Sequence, residues 1–348
     1  MNLSTTIPRQ HPLSSLLATV NWMVVFRWLV VGCLGATIWV TWSLWQVRES
    51  PPMLPALPLP RVDMGVILLI ALAVVLVKPL IGTTLFSLTL LYAILIDQTR
   101  LQPEFVSLAL VLWGTLPYTN ARFIGRAHLI SLWLWAGINK FLSPDFLRST
   151  GPSLFNTLMP NAPDWLRANS GYLIAGAELS IGLLAIFPRT RKLAALLAFG
   201  VHMTIFLILS PFGRDWNIAV WPWNIALAFA GFALIAPWRE SLWRMVRLCR
   251  PLTCLLAVFI LISPVGFYFG MIDAYLAHNL YSSNVPTASR TPPTWRLFNV
   301  PFPPEHRLFE QHFRLTCNPG DTLTIRDERW WYQQQGLERR TLECEAQP

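Results

Sequence analysis

The chain has 348 residues, 54% hydrophobic and only 13% charged, with a net charge of +9 and a mean hydropathy of +0.45. A soluble protein of this size carries about 25% charged residues, so the composition of the whole chain excludes that class and reads as a polytopic membrane protein. The basic excess falls in short turns between apolar runs, a distribution of topology signals and not of a phosphate-binding face, so no nucleic-acid partner is expected.

The five cysteines include no C-x-x-C pair and no zinc-ligand spacing, and no phosphate loop, G-x-S-x-G or H-E-x-x-H segment occurs. No metal site is expected. Seventeen tryptophans suit a chain with many membrane–water interfaces.

Residues 1–16 are polar, lack the apolar region and cleavage site of a signal peptide, and read as a cytoplasmic tail. N-terminal transmembrane helices fill 17–118, with spans at about 28–45, 64–77, 82–96 and 105–117. The proline-dense stretch 47–61 cannot continue a helix and makes a loop between the first two.

A four-helix core follows over 119–240, with spans at about 127–143, 171–187, 193–211 and 219–238. The connection 144–170 is rich in Pro, Asn and Ser and is expected along the interface. A basic turn and the last span, about 252–270, occupy 241–283. The total is about nine spans, an all-α membrane bundle.

Orientation follows from Lys and Arg. Arg189, Arg191 and Lys192 fill one turn, and Arg239, Arg244, Arg247 and Arg250 another. Both turns should face the cytoplasm of an inner-membrane protein, with Lys78, Arg122 and Arg126 on the same side. The N-terminus is then cytoplasmic and the C-terminus extracytoplasmic.

From about residue 284 the chain becomes polar and forms an extracytoplasmic domain, 284–348, expected to be small and β-rich. Strand candidates are 322–329 and 339–345, around Gly336. Cys317 and Cys344 lie here. They are either two free thiols or one bridge formed in an oxidising compartment.

The chemistry-bearing residues centre on the segment Arg126–Asp145. Read as a helix, it places His128, Trp135 and Asn139 on one stripe. Lys140, near the end of that span, either snorkels to the headgroups or pairs within the bundle. Glu178 lies among the small residues Ala175, Gly176, Ala177 and Gly182, which let a neighbouring helix approach. A carboxylate at membrane depth costs at least about 2.5 kcal/mol and normally has a partner, for which Lys140 is placed at the right depth. Such a pair is either glue between helices or a proton-handling site.

His202 sits near the middle of its span, as a helix-to-helix hydrogen bonder or a base. Asn139, Asp215, Asn217 and Asn224 form a polar cup at the outer ends of spans five to eight, walled by Trp135, Trp216, Trp221 and Trp223. Such a pocket, open to lipid, suits a flat amphipathic molecule such as a quinone, the one cofactor class expected. Tryptophan at an interface is also an ordinary anchor.

Ala136-Gly-Ile-Asn-Lys140-Phe, Glu178-Leu-Ser-Ile-Gly-Leu, the basic turn and His202 resemble the DoxX/MauE superfamily of four-helix membrane proteins. Ala-Gly-Ile-Asn-Lys, His202 and the later Trp-Asn-Ile and Pro-Trp-Asn also resemble the membrane part of vitamin K-dependent γ-carboxylases and their bacterial homologues, the HTTM proteins. The likeness covers about residues 120–240. In those carboxylases a matching lysine deprotonates a hydroquinone, which implies Lys140 here. The large lumenal substrate region of those enzymes has no counterpart, so protein carboxylation is not implied. The DoxX and MauE relatives imply quinone reduction or redox maturation of partner proteins.

Two functions from different classes remain. One is a quinone-linked enzyme or enzyme subunit with Lys140, Glu178 and His202 catalytic, and with Trp135, Asn139, Asn217, Trp221, Trp223 and Asn224 binding the ligand. The other is a non-catalytic assembly or maturation factor that presents its C-terminal domain to a protein partner outside. A transporter fits less well, since no inverted repeat is visible.

Overall fold

The computed structural model describes residues 21–292 and 294–344, and the expected tail 1–16 lies outside them. The helices are α1 (Trp22–Val40), α2 (Gly65–Val77), α3 (Pro79–Ile96), α4 (Pro103–Gly114), α5 (Thr119–Phe141), α6 (Gly151–Leu158), α7 (Asp164–Ile186), α8 (Arg191–Leu209), α9 (Val220–Ala230), α10 (Leu242–Leu248) and α11 (Pro251–Ile262). One π-type turn leads into α6, another extends α9 to Ile235, and a 3-10 turn extends α11 to Phe269.

Among the described residues, five segments are long and apolar enough to cross a membrane: α1, α3, α7, α8, and α11 with its extension. Three apolar helices are shorter, namely α2, α4, and α9 with its extension. α5 has 23 residues but is less apolar than these, with Arg122, Arg126 and His128 toward its start and Asn139 and Lys140 at its end. The stretch 47–61 is free of helix, as its prolines require.

Local chemistry sets the boundaries. The Asn21 side chain caps α1 by accepting from the Met23 and Val24 amides. Pro79, Pro103 and Pro251 each open a helix in its first turn, where their missing N–H costs nothing. α5 starts at Thr119 and α7 at Asp164, ahead of the expected 127 and 171. Charge ends an apolar window but not a helix. Arg122 and Arg126 lie along the first turns of α5 and donate to the carbonyls of Leu116 and Leu234.

α5 and α7 cross closely because glycine faces backbone from both sides. A Cβ on Gly137 would come within 2.5 Å of the Leu179 nitrogen, and one on Gly182 within 2.7 Å of the Leu134 nitrogen. α7 packs on α8, α8 on α9, and α4 and α11 flank α5.

One end of the bundle is basic. There Arg27 donates to the Thr115 carbonyl at 2.7 Å, and the Arg250 amide to Asn120 Oδ1. Arg191, fully buried, donates to the carbonyls of Ala185, Ile186, Trp238 and Glu240 while its guanidinium lies 3.5 Å from the Trp238 ring centre.

The opposite end carries Arg48, Asp97 and Arg100, with Arg48 2.5 Å from Asp97 Oδ2. The C-terminal region packs here: Gln102 donates to the Pro301 carbonyl, and Arg307 to Gln98.

That region contains both helix and strand. β1 (Thr287–Ala288), β2 (Thr322–Arg326) and β3 (Arg339–Glu343) form an antiparallel sheet in that order, with α12 (Thr294–Phe298), α13 (His306–Thr316) and α14 (Trp330–Gln334) around it. Alternate residues Leu323 and Ile325 of β2 point into a core with Phe302, Leu308, Phe309 and Phe313. Cys317 and Cys344 are bridged across the edge of this core. A second bridge, Cys249–Cys254, lies at the basic end.

Candidate functional site

α4 to α9, α11 and the loop 272–281 enclose a cavity of about 720 Å³. Its walls are mainly apolar, and its polar groups fall at three levels along α5. Lys140 marks one level, Trp133 the next and His128 the last. At 1.5 Å of rise per residue, Lys140 and His128 are about 18 Å apart.

At the first level Lys140 Nζ lies 2.6 Å from Glu178 Oε2, and each residue is 6% exposed. The ammonium also sits 5.5 Å from the Phe146 ring centre. This is an ion pair at the cavity wall, not a snorkelling lysine.

At the second level the Trp133 indole donates to His202 Nε2 at 2.9 Å. An indole is only a donor, so Nε2 must accept and the ring proton sits on Nδ1. Nδ1 then donates to Asn224 Oδ1 at 3.0 Å, and Asn224 Nδ2 donates to the Val220 carbonyl, which fixes the amide's orientation. His202 is a neutral imidazole held at both nitrogens.

At the third level Ser107 Oγ accepts the Trp223 indole N–H and lies 2.8 Å from His128 Nε2. The His128 and His278 ring centres are 5.4 Å apart. Ser131 donates to the Ile260 carbonyl and faces His278 Nε2 at 3.2 Å, so His278 is the donor in that contact.

His278 arrives on a non-helical loop packed against Ser131 and His128 of α5, irregular backbone of the kind tolerated between membrane helices where it lines a cavity. His278, Tyr281 and Ser283 all have left-handed φ, between 55° and 59°. Bulky side chains rarely adopt this, and it persists because the loop is tied down. Asn139 donates to the Ala277 carbonyl and accepts from the Tyr268 hydroxyl, and Asn217 donates to the Tyr281 hydroxyl.

The expected site residues therefore divide. Lys140, Glu178, His202, Trp223 and Asn224 line the cavity together. Trp135 donates to the Leu261 carbonyl and Asn139 holds the loop, so both face α11 and its continuation. Asn217 binds Tyr281, and Trp221 donates to the carbonyls of Leu209 and Trp216. These four support the site from behind its walls. His128 also departs from the expected stripe: it turns to Ser107 while Trp135 and Asn139 turn to the last span.

Sequence reasoning missed Trp133, Ser107, His278, Tyr275 and Tyr281 on the cavity wall. It also missed Glu104 in α4, 1% exposed, one of whose oxygens has no hydrogen-bond partner among the described residues. A polar run, His278-Asn-Leu-Tyr-Ser-Ser-Asn284, directly after an apolar span was the available signal.

Residues 119–216 match the family model described as methylamine utilisation protein MauE. No curated protein and no solved structure matches the chain. The matched stretch begins with α5 and ends just past α8, so it contains Lys140, Glu178 and His202 but stops short of Trp223 and Asn224. The apolar helices and this match make the chain a multi-pass membrane protein.

Proposed function

We propose that the cavity takes a quinone-like amphipathic molecule from the bilayer and that the Lys140–Glu178 pair handles its proton. The observation that carries this reading is a cavity of about 720 Å³ between membrane helices, apolar along most of its wall, with a buried ion pair at one end. Intramembrane charges are costly and mark functional pathways when they line a cavity. Lys140 donates to a ligand oxygen while Glu178 accepts or returns the proton, and the neutral His202 positions the ring from the second level. The tethered imidazole leaves His202 little freedom to act as a base itself.

The cavity wall reaches exposed apolar side chains of several helices, among them Leu158, Leu173, Leu196 and Phe259, which gives a ligand a lateral way in from lipid. In this reading the helices make about nine traverses, with the basic end cytoplasmic.

Purification in native lipid, with mass spectrometry of co-purified small molecules, tests the proposal. Gly200 lines the cavity, and a Cβ added there meets no atom within 4 Å, so a side chain can start from it without a backbone clash, and Gly200→Trp should occupy the space while the fold is kept. A quinone-class molecule enriched in wild type and depleted in Gly200→Trp is the expected result. Its absence from wild type would end the reading.

A second reading has its own observation. β3 is an outer strand of the sheet, and its residues are mostly exposed, Arg339, Arg340 and Thr341 among them. Such an edge can pair with a strand of a partner protein.

A further inference from the structure

The two disulfides lie at opposite ends of the bundle. Cys317–Cys344 belongs to the C-terminal region, on the end that carries Asp97 and Arg100. Cys249–Cys254 joins the end of α10 to the first turn of α11, beside the Arg250 amide that donates to Asn120 at the start of α5. A membrane of this kind separates a thiol-rich compartment from an oxidising one. Whichever way the chain is inserted, one of the two bridges faces the reducing side.

Charge identifies which one. Arg239, Arg244, Arg247 and Arg250 flank Cys249, and turns rich in arginine remain on the cytoplasmic side. The local chemistry also suits exchange. Cys254 is the fourth residue of α11, near its positive end, which favours the thiolate that thiol–disulfide exchange requires. Both sulfurs sit over one acceptor, the Val246 carbonyl, at 3.4 and 3.1 Å. Their Cα atoms are 5.9 Å apart, so the pair can open and close without moving the backbone far. Each cysteine is half-buried; Cys249 lies between the exposed Leu248 and Arg250, and Cys254 between the buried Thr253 and the exposed Leu255, so the pair is open to a small thiol from the Cys249 side.

We propose that Cys249 and Cys254 are a reversible thiol pair, opened by cytoplasmic thiol reductants and closed by disulfide-type oxidants. On opening, a reductant thiolate attacks one sulfur, forms a mixed disulfide and expels the other cysteine as a thiolate. A second reductant thiol then releases the oxidised reductant. Two electrons and two protons end on the two cysteines, and two reductant thiols become one disulfide.

The pair anchors the first turn of the helix that closes the cavity. Phe259, Ile260 and Ser263 line the cavity, and the Ile260 and Leu261 carbonyls hold Ser131 and Trp135 of α5. The state of the bridge therefore bears on how firmly α11 is seated.

The test is redox mapping of the full chain in cells. Growing cells are quenched in acid, free thiols are alkylated, and peptides are mapped without reduction, before and after a brief pulse of diamide. Cys249 and Cys254 should carry the alkylating label in growing cells, appear as a linked peptide after the pulse, and regain the label on washout. Cys317 and Cys344 should remain linked throughout. A 249–254 peptide already linked in growing cells, or one that never links under diamide, would overturn the proposal. So would the reverse pattern, with Cys317 and Cys344 labelled.

Discussion

Lys140 and Glu178 form a 2.6 Å ion pair across a helix crossing that glycine makes possible. The pair is buried, so removing one partner leaves a charge at membrane depth. Lys140→Met or Glu178→Gln alone should lower stability by about 3–5 kcal/mol, and the double variant should cost less than the sum. Thermal melting in one lipid composition measures this. Lys140→Arg separates two roles: it should restore much of the stability, yet a guanidinium does not exchange protons in this pH range. Full ligand-linked activity in the arginine variant would leave the lysine a structural partner only.

Gly137 carries the second expectation. Gly137→Ala pushes a methyl to 2.5 Å from the Leu179 nitrogen and 2.8 Å from the Ala175 carbonyl, both backbone. The helices must separate, at a cost of about 1–3 kcal/mol. Gly176→Ala on the facing helix is the control, because its nearest neighbour, Phe141, is at an ordinary 3.8 Å. It should be neutral or slightly stabilising. Equal melting temperatures for the two variants would contradict the close-crossing account.

Glu305 gives the C-terminal region a pH dependence. Burial, and then the Asp273 carboxylate, push its carboxyl up to about 8 from an ordinary 4.5, against the opposing pull of the Ala274 amide, Arg307 and Arg329. The folded state therefore holds this proton more tightly than the unfolded chain does. Its stabilising contribution is complete below pH 4.5 and is lost as pH rises through 8. Glu305→Gln keeps an acceptor for the Ala274 amide and should remove that part of the decline. Melting temperatures of wild type and variant should converge at low pH and separate, variant higher, toward pH 8.

The Cys317–Cys344 bridge closes a separation of 27 residues, which the chain-entropy account values at about 3.5 kcal/mol. Alkylation of the purified, unreduced protein should label neither thiol. The Cys317→Ser variant should loosen the sheet and raise the proteolytic sensitivity of β3.

Reporter fusions after residues 240 and 284 should read opposite compartments, since α11 and its extension lie between them. The same side for both would remove the basis for placing the two bridges in different environments.

Much of the membrane part was legible because apolar runs and proline breaks are one-dimensional signals. The Lys140–Glu178 pair was legible too, since two charges of opposite sign at matching depth have few other partners. The loop bearing His278 and Tyr281 was not. Its residues reach the cavity through left-handed backbone and contacts to Asn139 and Asn217, about 140 and 60 residues away, which no local pattern records. Trp135 and Asn139 show the complementary limit. Helical spacing puts them on one face of α5, but only packing decides that this face meets α11 and not the cavity.

Arg191 has a mechanical consequence. Its guanidinium fastens the end of α7, the start of α8 and the chain just beyond α9 at one point, far from the Lys140–Glu178 pair. Three rods pinned together at one tip can part only like tweezers, with the pivot at the pin. Any widening that admits a ligand is then smallest at the basic end and greatest beside α6, at the mouth nearest Lys140.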